Sequence, residues 1–594
     1  MDFSRFKALA LSCAAAAVFV GCGGGDDSAA TTATPSATLS GTAAGGAAII
    51  GNVLVKDSLG ATQGGTIDST GHYDVNVSGM TAPFLLKAYG RVGDTAVTYC
   101  SAATSADVGG TINITPFTNL ILSNLVGQIA ENYFATSNPT AAAISTTAIA
   151  AQETALQAKL QLVLSQLGID TAIDLLRSSF SADHSGIDAV MDLVKVDIDS
   201  TTGVASIKNA ITNAVISTDN VTTSTDDSTP ITGDISNLTT TAVTDLQAIT
   251  TQMNAFAALF ATTTPSVTAI TNSGLFDTTN FMDMGMGFDQ FVTELSTDQE
   301  LIGFSFSNID ISLESATTGI LTAVMNFKGT TFTEQISLKV IKINGVWKVQ
   351  GDQTIADMEI GAQAINNVTY SSSSISNGLK VWINPFAYNA SHASAVIDSA
   401  LITGPGLGNG ITMVQGPGEG LTVSGSTSTD TSHIPECSTT QSAPCVTLAQ
   451  VSDNSIYRVQ LYTGTTLLAD YNRTLPKAPV ATSTLSAASF PTITSFLVNG
   501  TAWTSTTFPQ IVAGDTVGFT WTLPASLISD YISASAWGTS GEYYRLQKDL
   551  LAAETKATFS LGSTDITGTS VTNGGIWLSA RDVFHRQFIY NTWF

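Results

Sequence analysis

The sequence predicts a multi-domain, mainly β protein, with β-sandwiches placed around a central helical and α+β region. Three observations predict it. The chain has 594 residues, well beyond the roughly 250–300 at which a single core stops growing, so several domains are expected. Charged residues make up only 12%, about half the usual ~25%, and polarity comes instead from Ser, Thr, Asn and 50 Gly. Apolar residues recur with period two up to about residue 117 and again from 297 onward, and with period 3.6 in between. A hydrophobic share of 43% supplies real cores and excludes wholesale disorder. With 47 acidic and 22 basic residues, a net charge of −25 argues against nucleic acid as a partner, because a polyphosphate backbone needs a basic footprint.

Residues 1–21 read as a signal peptide. Arg5 and Lys7 precede an apolar run from Ala8 to Val20, which is shorter than the ~20 residues a bilayer span needs. The junction Phe19-Val20-Gly21-Cys22 resembles the bacterial lipobox, which implies lipidation at Cys22 and a membrane partner reached through that anchor. Residues 22–36 form a flexible polar tether. Gly23 stands where lipoproteins retained at the inner membrane carry Asp, so the resemblance implies the outer membrane. Of the remaining cysteines, Cys437 and Cys445 bracket a short loop and are a disulfide candidate in an oxidising periplasm, while Cys100 reads as a buried thiol.

Residues 37–117 divide into short strands at Ala48–Lys56, His72–Ser78, Pro83–Tyr89 and Gly110–Thr115, bounded by Gly, Asp and Asn. Asp68-x-x-Gly71-x-Tyr73 reads as a tight turn, with Gly71 free to take positive φ and Tyr73 entering the core. This motif, following Gly51-Asn-Val-Leu-Val-Lys-Asp57, resembles the carboxypeptidase regulatory-like family. That resemblance implies a transthyretin-type sandwich without peptidase chemistry, often found beside carbohydrate-active domains.

Residues 118–235 read as a helical region with a loop. Leu122, Leu125, Val126, Ile129 and Tyr133 share one helix face, and Leu156, Leu160, Val163, Leu164 and Leu167 another, closed by Gly168. Shorter amphipathic pieces follow at Ile173–Phe180 and Ile187–Val194, then a Ser/Thr/Asp-rich hairpin and loop. Residues 236–369 read as α+β, beginning with a helix that carries Leu246, Ile249, Met253, Phe256 and Phe260 as a packing stripe. Antiparallel strands follow, with a hairpin turn at Asn344-Gly345. The segment Asn344–Gln353 resembles the closing strands of nuclear-transport-factor-2-like domains, which implies a cone of curved sheet wrapped around helices. Catalytic members of that family use a His or Asp inside the cone; no His lies between His184 and His392, so the expectation is a non-catalytic site.

Everything after 370 reads as β, in units 370–478 and 481–594 split at Pro476–Pro479. Val517, Phe519, Trp521 and Leu523 alternate strictly, and both units resemble immunoglobulin- or fibronectin-like sandwiches in pattern. Trp521, Trp537, Tyr543 and Trp577 are the possible ligand aromatics, either a sugar-stacking platform or sandwich core.

No catalytic motif emerges. H-E-x-x-H and G-x-S-x-G are absent, and the turns Gly404–Gly410 and Gly416–Gly420 lack the Lys-Ser/Thr of a phosphate loop. Asp197–Gly203 resembles a calcium loop, but Lys208 stands where the bidentate Glu belongs. His433 and Cys437 lack a second histidine for zinc. The expectation is therefore no metal, no cofactor and no enzyme. The chain reads as an outer-membrane-anchored lipoprotein displaying binding or structural domains, in the periplasm or at the cell surface, toward a glycan or protein ligand. The alternative is a carbohydrate-binding accessory of a glycan-processing system.

Overall fold

A computed structural model describes residues 37–594 except 224–227, 329–332, 370–371, 393, 417–419, 427–429, 439–443, 505–507, 539–540, 563–572 and 594. The signal peptide, Cys22 and the tether lie outside the described residues. The molecule is mainly β, with sandwiches on either side of a helical and α+β centre.

The N-terminal sandwich pairs strand Thr38–Thr42 with His72–Asn76. Opposite them stands a four-stranded sheet in the order Thr62–Thr66, Ile50–Lys56, Phe84–Val92, Thr95–Ala103. Residues 110–115, read as a strand, join only through isolated bridges at Thr111 and Ile114. Asp68 accepts the N–H groups of Thr70 and His72, and Gly71 takes φ +85°. That turn delivers Tyr73 to the core, where its hydroxyl donates to the Ile112 carbonyl at 2.5 Å. Tyr73→Phe leaves that buried carbonyl unpaired and is expected to cost about 1–3 kcal/mol. Faster hydrogen exchange in strand His72–Asn76 is the readout, and unchanged protection would count against the bond.

The far side of the four-stranded sheet is covered as well. Leu85, Cys100 and Ala102 belong to the central core, and burial pushes the Cys100 thiol up to about 12. Helix Pro116–Val126 packs there. Its start has Thr115 and Thr118 in a reciprocal capping box with Pro116 at the first position, and Gly127 ends it at φ +65°. Helix Thr146–Gln166, capped by Ser145, buries Leu156, Leu160, Val163 and Leu164. The expected helix at Ile173–Phe180 is instead a run of turns. Asp174 accepts the N–H groups of Leu176 and Arg177, and Glu153 accepts that of Leu175. Side chains thus take the donors a helix would need. Helix Gly186–Leu193 is shorter than its apolar pattern, because Val194 opens a strand. That strand, Val194–Ile198, begins a three-stranded sheet with Val204–Asn209 and Val215–Asn220. In its first turn Asp199 accepts the N–H groups of Thr201 and Thr202, as a hairpin acid does.

Helix Thr240–Ala258 follows, then Val267–Thr271, a short hairpin at Met282–Gly287 and helix Phe288–Thr297. These lie against four antiparallel strands in sequence order: Ser305–Leu313, Thr318–Asn326, Thr333–Ile343 and Val346–Gly351. Helices and sheet together form one α+β unit. The stripe from Leu246 to Phe260 is buried inside this chain. One contiguous core runs from the sandwich's far side through Val349.

Strand Asp357–Val368 leaves the α+β unit and becomes central to the C-terminal region. It pairs antiparallel with Ser373–Asn384 and parallel with Gln587–Trp593. The sheet has seven strands in the order His433–Pro435, Ser373–Asn384, Asp357–Val368, Gln587–Trp593, Asn573–Arg581, Ile528–Gly538, Gly541–Asp549. Hydrogen bonding therefore crosses the Pro476–Pro479 split. One half of the sheet, through Ile360, Ala362, Leu379 and Val381, packs on a five-stranded sheet around Ile402, Met413 and Val459. The other half, through Ile532, Ala534, Ile576 and Leu578, packs on a four-stranded sheet around Val517, Phe519 and Trp521.

Candidate functional site

Strand side chains alternate between faces, so the seven-stranded sheet presents a second face that is not part of the sandwich cores. Trp537, Trp577 and Trp593 all point to it, on three strands that neighbour one another. Gly575 stands directly opposite Trp593. A Cβ there would lie 3.0 Å from the indole's Cδ2 and Cε3. With none present, the Trp593 ring lies across the strand and stacks on Trp537, centroids 5.3 Å apart and planes 29° apart. Trp593 keeps 37% exposure, and Trp537 and Trp577 are half-buried. The Trp577 Nε1–H is buried with no hydrogen-bond partner among the described residues, a donor that ordinarily finds one. The same Cβ would lie 2.9 Å from the Thr592 carbonyl oxygen, so Gly575→Ala is expected to push both the Trp593 indole off its neighbour and the paired strand outward. Altered exciton coupling in near-UV circular dichroism is the readout, and an unchanged signal would contradict the packing.

The same face carries a row of polar side chains. Gln363 Nε2 donates to Asp430 Oδ2 at 3.1 Å and to Gln587 Oε1 at 2.9 Å. Gln587 Nε2 in turn donates to Asp530 Oδ2 at 3.3 Å, an acid also held by Ser579 and by Arg581 Nε at 3.0 Å. Nearer the tryptophans, Asn591 donates to Asn367 at 2.8 Å. Gln363, Gln587 and Asn591 are buried and bonded within this row; Asn367, half-buried beside Asn591, is the amide of the row nearest the surface on the tryptophan side.

The other sequence-selected residues fall elsewhere. Trp521 is only 3% exposed and donates Nε1–H to Ser529 Oγ at 3.1 Å; it is sandwich core and leaves the ligand set. The Tyr543 side chain lies outside the described residues. Cys437 and Cys445 are joined, with Cα atoms 4.9 Å apart, beside the edge strand His433–Pro435. Neither sulfur is therefore free for zinc. His433 is fully buried, burial pushes its pKa down to about 4, and its Nε2 meets Ser376 Oγ at 2.9 Å. Trp593 is the member of the aromatic set that sequence reasoning missed. Its place at the end of an alternating strand, in phase with Gln587, Ile589 and Asn591, was the available signal.

The α+β unit encloses a second feature. Met253, Phe256, Phe276, Phe281, Phe291 and Phe304 line a small cavity of about 30 Å³. Asp283 is the charged residue in that lining; it is 2% exposed and accepts the Asp352 N–H at 3.0 Å. Burial pushes its carboxyl up to about 6. A search for histidines could not find it, and its short hairpin carries no distinctive pattern. The folded pKa lies above the unfolded ~3.9, so folding favours the protonated acid, and wild-type stability is lost as pH rises through 6. Asp283→Asn is therefore expected to be the more stable protein at pH 8 by about 2–3 kcal/mol, with the difference vanishing below pH 4. Equal melting shifts at both pH values would contradict the assignment.

No family model matches the chain. Curated proteins give no match either. Among solved structures, the chain is similar to the FN1-FN3 domains of chicken CNTN1, at 9% identity and a TM-score of 0.13, covering 49% of this chain and 97% of that one. It is also similar to a tetra-tandem repeat in the extending region of a large adhesion protein, at 8% identity and a TM-score of 0.12, covering 94% and 98% of the two chains. Neither likeness is deep enough to transfer a residue or an activity.

Proposed function

We propose that the chain is a non-enzymatic lipoprotein, anchored to the outer membrane through Cys22, that binds neutral carbohydrate on the tryptophan-bearing face of its C-terminal sheet. The observation that carries the reading is the Trp593–Trp537 stack, partly exposed and next to Trp577 on a face that also bears the Asn591–Asn367 pair. Sugar rings present an apolar C–H face to indoles and hydroxyls to amides, and half-buried Asn367 is the amide that supports the second contact. The net charge of −25 disfavours anionic glycans and selects neutral ones. The lipobox-like Gly21-Cys22 and the polar tether support display away from a lipid surface.

The test is a glycan array probed with residues 37–594, followed by titration of the best neutral oligosaccharide. Trp593→Ala is expected to weaken binding about tenfold, the ~1.4 kcal/mol of one stacking contact. An array with no neutral sugar bound, or equal affinity in the variant, would sink the reading. Separately, Cys22→Ala is expected to release the protein from membranes, and unchanged partitioning would refute the anchor.

A further inference from the structure

His184, Asp188 and Asp192 recur every fourth residue, so they share one face at the entry to helix Gly186–Leu193. Their ligand atoms all lie within 4.8 Å of one another, and all three residues are buried. The cluster sits where that helix meets strand Ser305–Leu313 and the N-terminal sandwich. We propose that these three residues form a binding site for a divalent transition-metal ion, with zinc as the ion of choice.

The argument begins with the imidazole. His184 Nε2 faces the Ile309 carbonyl oxygen at 3.0 Å. A carbonyl only accepts, so Nε2 carries hydrogen. In a neutral ring Nδ1 then holds a lone pair, and that lone pair points at Asp192 Oδ2 only 2.9 Å away. Two lone pairs at this distance repel unless a positive centre stands between or beside them, either a proton or a metal ion. A backbone carbonyl fixing the far nitrogen is also the arrangement that metal-ligating histidines use to set their tautomer.

Orphaned oxygens decide between proton and metal. Asp188 Oδ1 and Asp192 Oδ1 are buried without a hydrogen-bond partner among the described residues, in side chains 0% and 5% exposed. Asp188 uses its other oxygen to accept the His184 backbone N–H at 2.8 Å. A proton on His184 Nδ1 satisfies one carboxylate oxygen and leaves both orphans as they are. A cation held by Nδ1 and one oxygen from each aspartate engages them together. One imidazole and two carboxylates are a borderline donor set, which suits zinc and not calcium or magnesium, whose ligands are oxygens. The backbone is shaped to the cluster. His184 adopts φ +61° and Gly46 φ +98°. A Cβ on Gly46 would lie 2.7 Å from Asp192 Oδ1, so that glycine leaves the room the carboxylate occupies.

The test uses residues 37–594 stripped with a chelator, then equilibrated with zinc sulfate and desalted. The expected result is about one zinc per chain by elemental analysis and a melting temperature raised by several degrees. Cobalt(II) in its place should give visible d–d absorption, which needs no variant. His184→Gln and, as a milder change, Asp188→Asn should each abolish the zinc-dependent rise; either variant that folds, judged by circular dichroism, is informative. Zinc well below one per chain with no cobalt spectrum overturns the proposal. So does a zinc-dependent rise that persists in both variants, or retention of calcium with zinc refused.

Discussion

Asp219→Ala is expected to lower the stability of the central region by about 1–3 kcal/mol, the cost of taking a shared acceptor from a buried ammonium and a buried amide donor. Lys159 lies on helix Thr146–Gln166, in phase with Leu156, Leu160 and Val163, and is carried into the core with them. Its side chain is 1% exposed, and its ammonium lies 4.0 Å from Asp219 Oδ2. Asn124 Nδ2 donates to the same oxygen at 2.9 Å, which ties helix Pro116–Val126 to the three-stranded sheet. Removing the carboxylate takes one acceptor from the ammonium and one from the Asn124 amide. Lys159→Met keeps the length and removes the charge, and because both single changes break the same contact, the two losses should not add in the double variant. Urea unfolding followed by hydrogen exchange of helix Thr146–Gln166 reads this. Fully additive losses would contradict the contact.

Phe276→Ala is expected to cost a further 3–5 kcal/mol, the usual range for deleting a buried ring. Phe276 stands at the centre of the α+β unit's aromatic cluster. Phe256, Phe281, Phe288 and Phe291 surround its ring at centroid distances of 5.2, 5.7, 5.7 and 5.8 Å. The neighbours come from two helices and a hairpin that cannot collapse together onto the gap, so the cavity grows. The same variant should therefore take up a small apolar probe such as benzene more tightly than wild type. Thermal melts with and without benzene measure both effects. A cheap loss with no added uptake would show that the cluster repacks freely.

These residues also mark what the sequence made legible. Strict alternation at Val517, Phe519 and Trp521 placed a strand and predicted its buried face, because period two is a local property. Asp68, Gly71 and Tyr73 gave a turn and its core anchor for the same reason. The parallel pairing of Asp357–Val368 with Gln587–Trp593 joins segments more than two hundred residues apart, and no local pattern records such a partner. The helix expected at Ile173–Phe180 failed because Glu153 and Asp174, acids that look solvated in sequence, take its backbone donors.

Burial of polar groups was the least legible property. The burial of Lys159, Asp283 and the His184 cluster depends on tertiary packing that no local pattern records. The aromatic set was partly legible. Trp537 and Trp577 are legible by type, Trp521 differs from them in pointing into a sandwich core from another sheet, and Trp593 is signalled only by its phase with Gln587, Ile589 and Asn591. The lipid anchor and tether rest on sequence alone.

The most direct test of carbohydrate binding on the C-terminal sheet is fluorine NMR of the chain labelled with 5-fluorotryptophan, titrated with soluble malto-, cello- and xylo-oligosaccharides. The seven tryptophans give separable signals, assigned by single Trp→Phe replacements. The account predicts that a bound sugar shifts the resonances of Trp537, Trp577 and Trp593 and leaves those of the core residues Trp347 and Trp521 in place. Saturable sugar binding with those three resonances unmoved, or no shift with any sugar of the three series, would contradict it.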